Sequence, residues 1–202
     1  MTGRDAPSGE PIAVALQRLV DATPGDVTNW GDLLHRLGGR AYGFAMLLLA
    51  APNLTPGPSL PGFSTIFAIP MLVVASGMLL GFATPRLPHF LARRPVRRER
   101  LARFVARVVP IAARADRALR PRWFTLVGMT RANGAWFTLL ALLLILPFPF
   151  VSLLAATAAV LIALGVIAED GKAIALGQGL AVVSVAVYAV FGWLALSALG
   201  WV

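Results

Sequence analysis

Charged and apolar residues are segregated along this chain on a scale much longer than a helical turn. Three runs contain no charged residue: Ala41 to Pro85, Ala132 to Ala168, and Ala173 to Val202. Each exceeds the roughly 20 residues that cross a hydrocarbon core. The pattern predicts an all-α, polytopic helical membrane protein. The first run is broken at "AAPNLTPGPSLPGF", where Pro52, Pro56, Pro58 and Pro61 interrupt the apolar stretch. The second is broken at "LPFPF", with Pro147 and Pro149. Before Pro52 only Ala41 to Ala51 can be helical, a reach of about 17 Å at 1.5 Å per residue, so that piece cannot span alone. After each break a longer apolar stretch follows, Gly62 to Ala83 with a kink expected at Pro70, and then the segment up to Ala168. Short apolar helix, proline break, longer apolar helix: the plan is written twice. Interrupted segments at corresponding places are the mark of a pseudo-symmetric, inverted-repeat transporter fold built from re-entrant-like hairpins.

The remaining segments are amphipathic. Pro11 to Val20 fits a short helix with Ile12, Leu16, Leu19 and Val20 on one face. In "DVTNWGDLLHRLGGR", Thr28 or Asn29 can cap a helix whose Trp30, Leu33, Leu34 and Leu37 share a face, opposite an Asp32–Arg36 pair. Two readings stand for it: a helix on the membrane surface with Trp30 at headgroup depth, or a soluble helix against the rest of the protein. Farther on, Leu101, Phe104, Val105, Val108, Ala112, Ala115 and Leu119 line one side of a helix bent at Pro110. Arg100, Arg103, Arg107, Arg114 and Arg117 line the other. This basic amphipathic helix is expected to rest on anionic headgroups of the cytoplasmic leaflet; a solvated linker is the alternative.

Composition sharpens this picture. The chain of 202 residues is 58% hydrophobic with mean hydropathy +0.77, and 13% is charged, against roughly 25% for a soluble domain. Residues 86–131 hold thirteen Arg against Glu99 and Asp116, a net of +11 that exceeds the +9 of the whole chain, the rest being slightly acidic. Arginines flanking apolar segments are retained on the cytoplasmic side. They lack the aromatic interleaving of a nucleic-acid surface, so no nucleic-acid partner is expected. There is no cysteine, which excludes disulfides and thiol chemistry. His35 and His89 lie far apart and read as interfacial residues. The N-terminus lacks the basic start and apolar length of a signal peptide. In outline, residues 1–10 are expected to be disordered, 11–85 to hold the first amphipathic helices and membrane hairpin, 86–131 the Arg-rich segment, and 132–202 the second hairpin and a C-terminal transmembrane helix. Together they form one integral membrane domain.

Non-helical backbone cannot stand bare in hydrocarbon, because each unpaired N–H or C=O there costs several kcal/mol. If the prolines lie deep in the bilayer, the exposed helix ends face an internal cavity suited to a polar ligand. Asn53, Thr55, Ser59, Ser64 and Thr65 would line the first break, Ser152 and Thr157 the second. The competing reading makes "APNLTPGPSLPGF" an ordinary extramembrane turn. Gln178 is expected to face another helix, and small residues four apart, Ala173 with Gly177 and Ala175 with Gly179, suit close helix packing. Glu169 and Asp170 read as a solvated boundary turn more readily than as an acid–base pair. No enzyme motif, metal-ligand spacing or cofactor fingerprint is present, so neither catalysis nor a cofactor is expected.

"GDLLHRLGGRAYGFAMLLLAAPNLTPGPSLPGFSTIFAIPMLVVASGMLLGFATPRLPHFLARRPV" resembles the ExoD family of bacterial membrane proteins. The resemblance is carried by "GDLLHRLG", the "APN" break with its prolines, Ile69–Pro70, Leu87–Pro88 leading into the Arg-rich helix, and later by "LPFPF" and "EDG". It implies a multi-pass inner-membrane protein linked to exopolysaccharide synthesis, and in some members to tolerance of alkaline conditions; it supplies no catalytic site. Two functions compete. One is binding or transport of a polar, lipid-linked or ionic substrate. The other is a non-catalytic scaffold for exopolysaccharide synthesis proteins. A homodimer is expected in either case.

Overall fold

The computed structural model describes residues 12–21, 27–29, 40–54, 63–85, 95–99, 123–146 and 151–198, together with residues 37, 102, 103, 105, 106, 109, 113, 117 and 119. Trp30, Thr55, Pro56, Pro58, Ser59, Pro61, Arg100, Arg107, Arg114, Pro147 and Pro149 lie outside them, as do residues 1–10. The described chain is helical apart from one short ribbon. Helix α1 is Ile12–Asp21, α2 Ala41–Ala50, α3 Phe63–Leu79, α4 Phe124–Gly128, α5 Thr130–Ile145, α6 Val151–Ala168 and α7 Gly171–Ala198. Strand β1, Val27–Asn29, pairs antiparallel with β2, Pro95–Arg97, with Thr28 opposite Val96. Thr28 and Asn29 are therefore ladder residues, paired with β2, a partner strand that no local pattern reveals; residues 30–36, where the helix they were expected to cap would begin, lie outside the described residues.

Helices α2, α3, α5 and α6 form a ring: α2 lies beside α3 and α6, and α5 beside α3 and α6. Helix α7 covers α6. Glycines set these contacts. A Cβ on Gly43 of α2 would stand 2.6 Å from Ile167 of α6, and one on Gly134 of α5 would stand 2.5 Å from the backbone N of Leu79 at the end of α3. Gly165 and Gly177 allow the same approach between α6 and α7, against Ile174 and Ile162. Helix α6 is otherwise walled by small buried side chains, Ala155, Ala156, Ala158, Ala159 and Ala163. Backbones come close where side chains are small, which is how apolar helices associate when hydrophobicity alone does not distinguish neighbour from surroundings.

These contacts fix direction. The start of α2 meets the end of α6, and the start of α5 meets the end of α3. Both hairpins thus run in the same sense, with both proline breaks toward one end of the bundle. An inverted arrangement, in which the breaks would point opposite ways, is excluded by this geometry. The Ala173–Gly177 face is spent inside the molecule on α6, whereas a side chain at Gly179 would meet nothing within 4 Å.

Helix α2 does not stop at its first proline. It tightens into a 3₁₀ turn, Ala51–Leu54. Pro52 has no N–H to give the preceding turn, and Asn53 compensates by donating Nδ2 to the Leu49 carbonyl at 3.3 Å. Helix α3 runs continuously through Pro70, leaving the Ile66 carbonyl without its helical donor.

Helix α7, 28 residues, is the one described helix long and apolar enough to cross a membrane. The apolar helices α2, α3, α5 and α6 are shorter. Ile66, Ile69 and Val73 of α3 stand exposed, as do Leu176, Val182, Val190, Trp193 and Leu194 of α7. Large apolar patches of this kind mark a surface made for a partner or a membrane. Within the Arg-rich segment Val105 is buried in the core, with Arg103 and Arg117 exposed. Its apolar side is therefore used at least partly by the protein itself.

Candidate functional site

The second helix of each hairpin ends in the same way. At the end of α3, Gly81 takes the left-handed conformation, φ +85°, while its N–H donates to the Met78 carbonyl and the Phe82 N–H to the Gly77 carbonyl, both at 3.0 Å. At the end of α6, Glu169 is left-handed, φ +55°, and the Asp170 N–H donates to the Gly165 carbonyl at 2.9 Å. Both are Schellman-type stops, in which the left-handed position is normally glycine. A side chain at that position is strained by roughly 1–2 kcal/mol. Glutamate occupies it at 169 all the same.

Its carboxylate has a partner. Glu169 Oε1 lies 3.5 Å from Arg40 Nη2, with the two side chains 19% and 7% exposed. Arg40 precedes α2 and Arg131 opens α5. Where Arg40 meets Glu169, Arg131 instead lies over Gly81, its Nε 2.9 Å from the place a Cβ would take. Among the described residues Arg131 makes no ion pair and no hydrogen bond. These groups line one cavity of about 490 Å³, walled by apolar side chains such as Met78, Val127, Val166 and Phe82. Its polar rim is completed by Tyr42 and Thr130, whose hydroxyls are already engaged: Tyr42 donates to the Thr84 carbonyl at 3.1 Å and Thr130 to the Gly128 carbonyl at 3.3 Å.

Asp170 is fully buried and is no solvated turn residue. Its Oδ1 accepts the Lys172 N–H at 2.9 Å and so caps α7. Burial follows from the tight α6–α7 corner, in which Gly165 admits the Asp170 carbonyl at 3.0 Å from a would-be Cβ.

Of the residues singled out around the breaks, Thr55 and Ser59 lie outside the described residues, and the described ones do not join this cavity. Asn53 is fully buried in the 3₁₀ turn, which packs on α6, and its Oδ1 has no hydrogen-bond partner among the described residues. Ser152 is buried near the start of α6, while Ser64 and Thr65 are half-buried at the start of α3. The Thr157 hydroxyl is turned back onto the Leu153 carbonyl at 2.7 Å, the usual fate of a helical threonine. Gln178 does face another helix. Its Nε2 donates to Asn133 Oδ1 at 3.1 Å, and the buried Asn133 donates in turn to the Leu126 carbonyl at 2.9 Å. Among the described residues no group of three or more His, Cys, Asp or Glu comes together.

Arg40, Arg131 and Gly81 were not singled out by sequence reasoning, yet a signal existed. Arg-Ala-x-Gly occurs at 40–43 and again at 131–134, and a glycine stands four residues before each left-handed stop, at Gly77 and Gly165.

The fold and this site define a class: a small helical protein of apolar, glycine-packed hairpins with a charged cavity where the hairpin ends meet. The chain belongs to the family described as Exopolysaccharide synthesis, ExoD, whose family model matches residues 12–190. Protein ExoD of Rhizobium meliloti (strain 1021) is 27% identical over 197 residues, which is 95% of this chain and 81% of that protein. No solved structure matches the chain.

Proposed function

We propose that this chain is a multi-pass membrane protein that serves exopolysaccharide synthesis by binding a polar substrate in the Arg40–Arg131–Glu169 cavity and carrying it through the bilayer. The observation that carries the reading is the cavity itself, three charged side chains gathered at the meeting point of helices that are otherwise apolar. Arg40 and Glu169 are largely buried there as a pair, while Arg131 is exposed, an arrangement open to a polar ligand.

The two hairpins act as one unit repeated about a two-fold axis that runs along the bundle. The cavity lies near that axis, with Arg40 answering Arg131, Gly81 answering Glu169, and Met78 answering Val166. The Arg-rich connection leaves from the end of α3 and returns to α4, at the cavity end, and the retention of arginines on the cytoplasmic side favours a cytoplasmic cavity. Helix α3, 17 residues, and helix α6, 18 residues, reach about 26–27 Å at 1.5 Å per residue, a little less than the roughly 30 Å hydrocarbon core. The breaks then form re-entrant-like tips short of the far face, and α7 crosses fully. Anionic lipids meet the exposed Arg103 and Arg117. A homodimer would use the open Ala175–Gly179 face of α7.

The test is exopolysaccharide output from cells carrying cavity variants or basic-face variants at matched membrane levels. Transport expects Arg131→Ala to abolish output and Arg103→Glu with Arg107→Glu to leave it. The reverse result favours the scaffold.

A further inference from the structure

We infer that the cavity takes an oxyanion, a carboxylate or phosphate group, and that Arg131 is the residue that holds it. This rests on the reading of the cavity as a binding site and names the chemistry of what binds.

Two matched corners of the cavity differ in charge. Each hairpin begins with Arg-Ala-x-Gly, and each of these arginines faces the left-handed stop of the other hairpin. In one corner the stop is Glu169, accepted there despite its strained φ of +55°, and it neutralises Arg40. In the other the stop is Gly81, which offers no acid, and Arg131 has no partner among the described residues. The charged lining is Arg40, Arg131 and Glu169, a net of one positive charge. The Tyr42 and Thr130 hydroxyls donate elsewhere, so the donors left over belong to a guanidinium, whose planar fork matches carboxylate and phosphate oxygens two at a time. A volume of about 490 Å³ falls within the range of small-molecule sites, and the apolar walls suit an uncharged body behind the anionic group. The oxyanion stands where a carboxylate at position 81 would stand: the ligand supplies the acid that this corner lacks.

Gly81→Asp and Gly81→Asn make the decisive pair. Both residues tolerate the left-handed conformation better than other side chains, and both displace the flexible Arg131 side chain equally, but only aspartate brings the missing charge. The full chain, in nanodiscs of phosphatidylcholine, is titrated with inorganic phosphate by calorimetry. In a second arm, nanodiscs doped with phosphatidylglycerol are assayed for lipid retained by the protein, which distinguishes a soluble anion from a headgroup. Saturable binding is expected in one of the two arms, weakened at least tenfold by Arg131→Gln and by Gly81→Asp, weakened by added salt, and kept by Gly81→Asn. Helical circular dichroism verifies that each variant is folded; should Arg131→Gln fail to fold, the Gly81 pair decides alone. Absence of saturable binding in both arms overturns the inference, as does equal loss in Gly81→Asn and Gly81→Asp. Binding that follows this pattern while Arg131→Ala cells make normal exopolysaccharide leaves the anion site standing and removes the transport reading.

Discussion

Arg40, before the first helix of one hairpin, lies 3.5 Å from Glu169, after the second helix of the other. The pair therefore ties the beginning of one hairpin to the end of the next, across 129 positions of sequence (169 − 40). It stands at a position where glycine would be the relaxed choice, so two effects oppose each other at residue 169. Glu169→Ala keeps the strain and removes the carboxylate that faces Arg40. Glu169→Gly strips the partner but relieves about 1 kcal/mol of left-handed strain. The alanine variant is expected to be the less stable of the two by about that amount, as read from thermal unfolding in detergent. Equal melting would mean that the conformation of residue 169 carries no strain.

Glycine contacts give a graded prediction. At Gly134 the obstacle to a methyl group is the Leu79 backbone at 2.5 Å, at Gly43 it is first the Ile167 side chain at 2.6 Å, and at Gly179 there is nothing within 4 Å. Gly134→Ala should destabilise most, at the upper part of the roughly 1–3 kcal/mol seen for overpacking, and Gly43→Ala less, because a side chain can yield. Gly179→Ala should gain up to about 1 kcal/mol from helix propensity. Unfolding midpoints of the three variants order them, and a Gly43→Ala loss larger than that of Gly134→Ala would mean that the backbone at Leu79 yields more readily than the Ile167 side chain.

The chain of hydrogen bonds from Gln178 through Asn133 to the Leu126 carbonyl links α7, α5 and α4. Asn133 is fully buried, so Asn133→Leu leaves the Leu126 carbonyl and the Gln178 amide unsatisfied, a loss of about 1–3 kcal/mol. Adding Gln178→Leu should cost less in that background than in the parent protein, since its partner is already gone. Strict additivity in a double-mutant cycle would show that the Gln178–Asn133 bond contributes nothing.

Much of this architecture is legible in the sequence, for specific reasons. Long charge-free runs and clustered prolines mark α2, α3, α5, α6 and α7 and their breaks, because both signals are local. The ribbon between Thr28 and Val96 is not legible, since its partner lies 68 positions away (96 − 28) and each strand is three residues long. The breaks drew attention to one end of the hairpins, and the charged cavity lies at the other. Serine and threonine there look like ligand groups in one dimension, yet helical hydroxyls such as those of Thr157 and Ser184 return to carbonyls four residues back. Arg40 and Arg131 looked like mere flanks of apolar runs. Their role emerges only when the ring of helices brings each to the opposite hairpin's final turn.

Direction of the hairpins makes the last prediction. Because the chain has no native cysteine, a single introduced thiol reports its own surroundings without background. Ala83 is exposed at the cavity end, close to the departure of the Arg-rich connection, whereas Asn53 is fully buried in the 3₁₀ turn toward the opposite end. With the positively charged connection cytoplasmic, Ala83→Cys should be labelled by a membrane-impermeant maleimide in inside-out vesicles and spared in right-side-out ones. Asn53→Cys should resist labelling from both sides while a small permeant reagent reaches it on loosening the bundle with detergent. Rapid labelling of Asn53→Cys from the outer face would instead put the first break in open solvent, as an ordinary turn between two crossing helices. The hairpin would then be a full double crossing, and a pathway through the bundle would have to be sought along its length and not at re-entrant tips.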